Sequence, residues 1–309
     1  MRGGSQSQLL RCSDGNYYVV KFPNNPQGLT ILANELLAGR LATLLGLPVP
    51  NGRIIQVSRA LIEHTEEMRV DLECGRIPLK PGLCFGSQAP TYLIHGNTLL
   101  QPTYDFLPRT ELPLVDNISD FASMLVFDKW TGNSDSRQAI FVRGAHRHSY
   151  KAWMVDQGHC FGGKRWKFTD IVRDGLSANL AVYAAIHGFG AFRKCLVQLE
   201  EKVNGFLLHS IADDIPPEWY PWRKRSLHRL LETLDQRREI VEKLLRNTCR
   251  AFPRSFPNWN GCAAANPNSF GTTENHAYRR DGSREVTRLD VLPQPASLPV
   301  CKLTSSEPN

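Results

Sequence analysis

The first apolar positions of the chain have the spacing of a β-hairpin. Residues 9–12 and 17–22 are rich in strand-forming side chains, and Asp14 and Gly15 lie between them at the turn. Along the second run the side chains alternate between two faces, so Lys21 ends the row that holds Tyr17 and Val19. A lysine in this place has two interpretations: an edge residue whose ammonium reaches water, or a buried cation with a partner.

Residues 30–45 have the periodicity of an amphipathic helix that stops at Gly46. Glu35 falls on the apolar side of this helix, between Ile31 and Ala38. A carboxylate there needs a cation to stay ionised without a large cost, and Lys21 on the preceding strand is the candidate. The alternative is that Glu35 lies at the margin of the apolar stripe and is solvated.

The next part of the chain is β-rich. Short runs typical of strands occur at residues 54–57, 60–62, 92–94 and 99–100, and residues 63–81 form a polar excursion. We place a domain boundary near Pro113, which defines an N-terminal domain over residues 1–112.

From Asn117 the periodicity becomes helical. Asn117 or Ser119 is a candidate N-cap for the first helix, and further helices are predicted over residues 169–176, 178–186, 192–208 and 226–248. Beyond residue 252 the periodicity is lost among Pro, Asn, Ser and Gly. We therefore predict an α+β fold with a mainly helical second domain over residues 113–250 and a disordered tail over residues 251–309.

Candidate chemistry lies between residues 127 and 158. A helix ends at Thr131 and Gly132, a polar loop carries Asp135, and two apolar strands follow, the second of which ends at Asp156. Two carboxylates are thus presented at the rim of one small hairpin. A loop so dense in polar groups needs partners for them, and phosphates and magnesium are the partners we favour.

Charge and cysteine content indicate which partners and which cellular compartment fit this chemistry. The chain has 37 Lys and Arg against 30 Asp and Glu, a net charge of +7, which suits an anionic partner or a solvated basic surface. Residues 223–250 hold nine of these cations against four anions, as a solvated helix face or a nucleic-acid surface would. The eight cysteines show no C-x-x-C pair, and no apolar leader is present, so we expect a soluble cytoplasmic protein without a membrane partner, zinc site or disulfide framework.

Phosphoryl transfer from ATP requires several groups with different electrostatic tasks. A strand lysine neutralises phosphates, a helix glutamate holds the lysine, one aspartate accepts the proton of the attacking hydroxyl, and a carboxamide and a second aspartate hold magnesium. The chain offers a candidate for each task in the order of the protein-kinase plan: Lys21, Glu35, Asp135, Gln138 and Asp156.

The sequence resembles the short single-domain branch of the HipA-like kinase family, from about residue 2 to residue 248. The resemblance rests on Arg2-Gly3-Gly4-Ser5-Gln6, Val20-Lys21-Phe22, Asn34-Glu35, Leu45-Gly46-Leu47-Pro48-Val49-Pro50, Gly132-Asn133-Ser134-Asp135 with Arg137, and Val155-Asp156-Gln157-Gly158. It implies a two-lobed kinase-like fold with ATP and Mg²⁺ between the lobes. It also implies Lys21 as the phosphate-binding lysine, Glu35 as its partner, Asp135 as catalytic base, Asp156 as magnesium ligand, and Asn133 and Arg137 as supports of the catalytic loop.

Two departures from the family pattern leave alternatives open. The catalytic loop is shortened, and Gln138 stands where better-known members have a metal-binding asparagine, so a weak kinase and a nucleotide-binding pseudokinase both fit. Gly3, Gly4 and Ser5 match a phosphate loop, or else they are a frayed terminus. In a kinase-like lobe the phosphate-binding lysine lies on the third strand, but here Lys21 lies on the second strand after this segment. We therefore expect the first strand of the lobe to lie before Met1.

The function predicted from these features is magnesium-dependent transfer of the γ-phosphoryl group of ATP to a hydroxyl, a Ser or Thr of an unknown protein substrate. A nucleotide-binding scaffold without turnover and a basic nucleic-acid-binding module are the two alternatives.

Overall fold

A computed structural model describes residues 4–94, 97–144, 148–221, 224–259 and 300–301. Its first elements are the antiparallel strands β1 (Gln8–Arg11) and β2 (Tyr17–Lys21), followed by helix α1 (Thr30–Leu44). The predicted hairpin and helix are therefore both present. Gln8 pairs with Val20 and Arg11 with Tyr17, so the turn falls at Asp14 and Gly15.

The main sheet has the order β1–β2–β6–β3–β12. Its further strands are β3 (Gly52–Val57), β6 (Gly82–Gln88) and β12 (Val300–Cys301). All neighbours are antiparallel except β12, which is parallel to β3. The sequence pattern did not indicate β6, because its two glycines and short polar side chains hide the alternation of a strand.

Between β3 and β6 the structure differs from prediction. Residues 60–62 belong to helix α2 (Arg59–Glu63) and not to a strand. Ser58 caps this helix by accepting a hydrogen bond from the backbone N–H of Leu61 at 3.2 Å, which favours helix over strand locally. The polar excursion contains a second hairpin, β4 (Arg69–Leu72) and β5 (Gly75–Pro78).

A third hairpin precedes the helical part of the chain. It consists of β7 (Thr91–Ile94) and β8 (Asn97–Leu100), close to the short strands predicted at these positions. β9 (Thr103–Tyr104) then pairs with the hairpin formed by β10 (Gln138–Arg143) and β11 (Tyr150–Val155). These strands form a three-stranded sheet in the order β11–β10–β9.

The helices of the C-terminal part are α3 (Asp120–Thr131), α4 (Gly190–Lys202), α5 (Gly205–Ala212), α6 (Lys224–Arg237) and α7 (Val241–Ala251). Two predicted helices are each divided in two. The first divides at Asn204, whose side chain caps α5 through the N–H of Leu207 at 3.0 Å, and the second at a 3₁₀ turn, Arg238–Ile240. Residues 169–176 form no helix, and residues 178–186 hold only the 3₁₀ helix Leu180–Ala185.

The larger hydrophobic core joins α1 to the C-terminal helices. Leu36 and Leu41 of α1 are buried in the same cluster as Trp130 and Leu234, and the indole N–H of Trp130 donates to the carbonyl of Leu234 at 2.8 Å. A smaller core lies between the main sheet and α2, around Val20 and Ile55. The predicted α+β class, with a β-rich N-terminal part and a mainly helical C-terminal part, is confirmed.

Some residues assigned to the tail continue the ordered fold. Phe256 is buried against Tyr183, with ring centroids 5.2 Å apart, and Asn258 donates to the carbonyl of Ala184 at 2.8 Å. Packing of aromatic side chains thus extends the fold past residue 251, where the sequence pattern ended it. Residues 260–299 and 302–309 of the predicted tail lie outside the described residues.

The structure also bears on the expected absence of a disulfide framework and of membrane-spanning helices. Within the described chain Cys74, Cys84, Cys160 and Cys195 are free thiols, whereas Cys12 is disulfide-bonded, which the cysteine spacing did not indicate. None of the helices in the described ranges is both long enough and apolar enough to cross a bilayer.

Candidate active site

Three elements that are distant in sequence bring Lys21, Glu35 and Asp156 together. Lys21 is the last residue of β2, Glu35 lies in the second turn of α1, and Asp156 directly follows β11. The ammonium of Lys21 donates to Oε1 of Glu35, and to Oδ1 of Asp156 at 2.8 Å. Of the two interpretations of Lys21, the structure therefore has the buried cation with a partner and not the solvated edge residue. The predicted contact with Glu35 is present.

The charges of Lys21 and Asp156 stabilise each other in a buried place. Lys21 is 6% exposed and Glu35 3%. Burial opposes the charge of Lys21, but the carboxylates of Glu35 and Asp156 outweigh it and raise the pKa of the lysine. Burial would likewise raise the pKa of Asp156, but the nearby ammonium outweighs that effect and lowers it. The cluster thus keeps a permanent cation beside an ionised aspartate.

Glu35 also holds the turn that follows Asp156. Its Oε2 accepts from the backbone N–H of Gln157 at 3.1 Å, and its Oε1 from that of Gly158 at 2.9 Å. Asp156 has a left-handed backbone (φ 57°), and a Cβ at Gly158 would lie 2.5 Å from Cγ2 of Ile31. This close approach to α1 requires glycine, so the Asp-x-Gly sequence fixes where the aspartate points.

The loop that carries Asp135 is organised around Asp128, a residue that the sequence pattern did not single out. Asp128 is 1% exposed and makes a bidentate pair with Arg137, whose Nε donates to Oδ2 at 2.8 Å. Asn133 donates to Oδ1 of the same carboxylate at 3.0 Å. Burial opposes the charge of Arg137, but Asp128 outweighs it and raises the pKa of the guanidinium. Both predicted loop supports therefore converge on one buried carboxylate.

Asp135 lies on the exposed tip of this loop. Its backbone N–H donates to Oδ1 of Asn133 at 3.2 Å, and its own Oδ1 accepts from the N–H of Ser136 at 2.7 Å. No hydrogen bond within the described residues joins Asp135 to Lys21 or Asp156. The link runs through Arg137, which donates to the carbonyl of Val155 at 2.8 Å, one residue before Asp156.

Oxygen ligands for a cation are available where β10 and β11 meet. Gln138, the first residue of β10, is exposed, and its backbone pairs with Val155, the residue before Asp156. Over the described ranges no three His, Cys, Asp or Glu residues cluster as a metal site. A carboxylate, a carboxamide and phosphate oxygens are a donor set that suits Mg²⁺, which is commonly held by few protein ligands.

The segment Gly3-Gly4-Ser5, proposed from the sequence as a phosphate loop, is linked to the Asp156 turn through Gln27. Gly4 lies close to the carboxamide of Gln27, and Nε2 of Gln27 is 3.1 Å from Nε2 of His159, three residues after Asp156. Ser5 is buried, and its hydroxyl is 2.8 Å from that of Ser7. Gly3 lies outside the described residues.

A second contact to α1 was also missed by sequence reasoning. Asn34 is 1% exposed, and its Nδ2 donates to the carbonyls of Gly158 at 2.7 Å and of Cys160 and Gly163 at 3.2 Å. Its Oδ1 accepts from the indole N–H of Trp166 at 2.7 Å. The available signal was its place beside Glu35: a buried carboxamide on an apolar helix face needs partners as a carboxylate does.

Three of the nine basic residues in the stretch 223–250 are seen in ion pairs among the described residues. Arg237 is buried and pairs with Asp170, and Arg238 pairs with Asp235 at 2.8 Å. Arg246 pairs with Glu242 at 2.7 Å, and its guanidinium lies 4.1 Å from the ring centroid of Phe189. These three cations therefore have structural roles within the helical part of the chain.

Comparisons with known proteins agree with the resemblance seen in the sequence. The sequence model of the family described as HipA-like kinase matches residues 1–141, which confirms the resemblance over that span and supports a kinase-like phosphotransferase. No curated protein matches the chain.

Several solved kinase structures are similar. The Helicobacter pylori proinflammatory kinase CtkA is 16% identical, with a TM-score of 0.47, over 82% of this chain and 93% of its own. The Golgi casein kinase with Mn/ADP bound is 13% identical (TM-score 0.45), over 83% of this chain and 73% of its own. HipA of Shewanella oneidensis, in complex with HipB and operator DNA, is 14% identical (TM-score 0.45), over 79% of this chain and 66% of its own.

Proposed function

We propose that the chain is a magnesium-dependent kinase of the HipA-like type that transfers the γ-phosphoryl group of ATP to a Ser or Thr hydroxyl of a protein. The observation that carries the proposal is the contact of Lys21 with both Glu35 and Asp156. A buried lysine held between a helix carboxylate and a loop carboxylate is the arrangement by which kinases bind and orient nucleotide phosphates.

Each residue of the cluster has a distinct role in this proposal. Lys21 presents its ammonium to the α and β phosphates, and Glu35 fixes the direction of that ammonium. Asp156, whose side chain is 24% exposed, directs an ionised carboxylate toward the metal-bound phosphates. Glu35 also holds the N–H groups of Gln157 and Gly158, so one carboxylate orients both the cation and the metal ligand.

Asp135 is the proposed catalytic base. Its exposure lets an acceptor hydroxyl approach its carboxylate, while Asn133, Arg137 and Asp128 hold the loop beneath it. A base needs to lie within hydrogen-bond distance of the proton that it accepts, and a fixed loop keeps it in that position.

Asp156 and Gln138 are the proposed magnesium ligands, and Gly3, Gly4 and Ser5 the proposed cover of the phosphates. The bound cation would neutralise the charge on the β and γ phosphates. We further propose that the two lobes divide near Pro113, that residues 113–250 form the second lobe, and that the protein acts in the cytoplasm.

A catalytically silent nucleotide-binding protein is the second candidate. It is favoured by one observation: the predicted carboxamide ligand is the longer Gln138 on an exposed strand end, not an asparagine within the loop. A longer arm holds a metal less rigidly, which reduces turnover more than it reduces nucleotide binding.

The two candidates are separated by measuring binding and turnover on the same sample. We expect ATP with Mg²⁺ to raise the melting temperature and labelled γ-phosphate to appear on protein. Lys21→Met is expected to lose both responses, whereas Lys243→Met, on an exposed face of α7, is expected to keep them. Stabilisation without label would favour the silent protein, and absence of both responses would contradict nucleotide binding.

A further inference from the structure

A short basic loop lies beside the proposed catalytic loop. It consists of residues 164–167, the end of the 3₁₀ helix Cys160–Arg165 and the two residues after it, and holds Lys164, Arg165 and Lys167, which are all exposed. Arg165 and Lys167 form no ion pair within the described ranges. We call this segment the basic loop.

The residues just before the basic loop contact the catalytic loop directly. The backbone N–H of Gly162 donates to the carbonyl of Gly132 at 2.9 Å. The N–H and hydroxyl of Ser134 both donate to the carbonyl of His159, at 3.0 and 3.2 Å. The basic loop therefore begins two residues from a contact with the loop that carries Asp135.

Several contacts fix the backbone of the basic loop. Asn34 accepts from the indole of Trp166 and donates to the carbonyl of Gly163. A Cβ at Gly162 would lie 1.9 Å from the carbonyl oxygen of Lys167, so the segment folds back on itself too closely for any residue but glycine. Because the backbone is held, its exposed charges are presented without a large entropic cost of ordering.

Asp170, three residues after Lys167, is used in another ion pair. Asp170 pairs with Arg237, and the guanidinium of Arg237 also lies 4.1 Å from the ring centroid of Phe168. The pair of Asp170 with Arg237 anchors the segment after the basic loop to α6, so the carboxylate of Asp170 already has a cationic partner. Arg165 and Lys167 thus remain exposed, without an ion pair among the described residues, on the segment that contacts the loop of Asp135.

We propose that the basic loop recognises an acidic segment of the protein substrate, so that the phosphorylated hydroxyl is flanked by Asp or Glu residues. The inference rests on the proposed kinase function, because it is Asp135 that makes the neighbouring surface an acceptor site. Arg165 and Lys167 are two exposed cations only two positions apart in the sequence, which suits a few acidic side chains. Nucleic-acid interfaces are larger and neutralise on the order of 6–10 phosphates, so a peptide is the better match.

The test begins with binding, which does not depend on turnover. Fluorescence anisotropy is measured for three labelled peptides of equal length with a central serine flanked by Glu, Gln or Lys. Two variants are compared with the wild type: Arg165→Glu/Lys167→Glu in the basic loop, and Arg229→Glu/Lys243→Glu on exposed positions of α6 and α7. The control reverses the same number of charges on elements that do not include the basic loop.

We expect the Glu peptide to bind about tenfold more tightly than the Gln peptide, since exposed ion pairs each add little and those of Arg165 and Lys167 act together. The basic-loop variant should lose this preference and the control should keep it. Equal binding of all three peptides, or an equal loss in both variants, would overturn the proposal. Tighter binding of a single-stranded oligonucleotide than of the Glu peptide, abolished in the basic-loop variant, would also overturn it in favour of a nucleic acid.

Labelled-phosphate transfer to the same peptides then separates the two proposals. Preferential phosphorylation of the Glu peptide, lost in the basic-loop variant with thermal stabilisation by ATP unchanged, supports both. Transfer that is indifferent to the flanking charge leaves the kinase and overturns the acidic preference. Selective binding of the Glu peptide without any transfer supports the recognition surface and contradicts the kinase.

Discussion

Replacing Glu35 by glutamine tests the buried cluster with an almost isosteric change. The carboxylate accepts from three donors: the ammonium of Lys21 and the backbone N–H groups of Gln157 and Gly158. A carboxamide has one accepting oxygen, and its NH₂ group would face one of these donors. At least one buried donor would therefore lose its acceptor, and Lys21 would lose one of its two anionic partners.

The size of the effect follows from burial. Breaking a buried ion pair costs about 3–5 kcal/mol, and we expect the lower end, about 3 kcal/mol, because Lys21 keeps Asp156. Glu242→Gln provides the matched control, because it makes the same change in a pair with Arg246 whose side chains are 47% and 55% exposed. We expect that variant to lose no more than about 0.5 kcal/mol, as exposed helix pairs do.

The measurement is urea unfolding followed by tryptophan fluorescence, with the m-value compared between proteins to confirm that the transition is the same. A Glu35→Gln protein within about 0.5 kcal/mol of the wild type would refute the reasoning, since the three donors would then need no common acceptor. A large loss in Glu242→Gln would show that the change of residue, and not burial, sets the effect.

Three further changes test the surroundings of the cluster. Gly158→Ala should lower the free energy of unfolding in urea by about 1–3 kcal/mol and abolish most phosphate transfer. Gly39→Ala, at a position in α1 where an added Cβ meets open space, should raise that free energy by up to about 1 kcal/mol. Equal effects of the two changes would contradict the close approach of Gly158 to α1. Arg137→Lys should lose about 3 kcal/mol, because lysine cannot make the bidentate pair with Asp128; a loss under about 1 kcal/mol would argue against that pair as the support of the loop. Burial lowers the pKa of Lys129 from 10.5 to about 8. Between these pH values the lysine is protonated in the unfolded state and neutral in the folded state, so the stability of the wild type should rise with pH relative to that of Lys129→Met, by at most about 3 kcal/mol. Parallel pH profiles of the two proteins would contradict the shift.

The contact between Lys21 and Glu35 could be predicted because each residue interrupts an apolar pattern. A lysine at the end of an apolar strand and a glutamate on an apolar helix face are each costly alone, and their proximity in sequence suggested that they pair. The polar loop around Asp135 and the strand leading to Asp156 could be placed for a similar reason, since the change from helical to alternating periodicity marks both.

The role of Asp128 could not be predicted in this way. In the sequence it lies next to Lys129 in a helix, where a charged pair usually indicates a solvated face. Its burial follows from the turn after α3, which brings Arg137 back over the helix, and from the contact of Arg137 with Val155. That geometry depends on tertiary packing and leaves no periodic signal.

Short elements were misjudged for a related reason. The three residues Ala60–Ile62 fit strand or helix equally well, and the cap at Ser58 decides for a helix. In β6 the glycines remove the alternation that identifies a strand, although the strand pairs with both β2 and β3. Pairing partners on both sides supply what the local sequence lacks.

The most direct test of the account is labelled-phosphate transfer by Asp156→Ala beside the wild type, at saturating ATP and Mg²⁺. Asp156 touches Lys21 and stands where the metal-bound phosphates are expected, so removal of its carboxylate should abolish transfer while the protein stays folded by its unfolding transition. The account predicts a loss of at least about 100-fold, in line with the removal of one preorganised electrostatic group. Undiminished transfer by Asp156→Ala would contradict the central claim that this aspartate and Lys21 act on a single triphosphate.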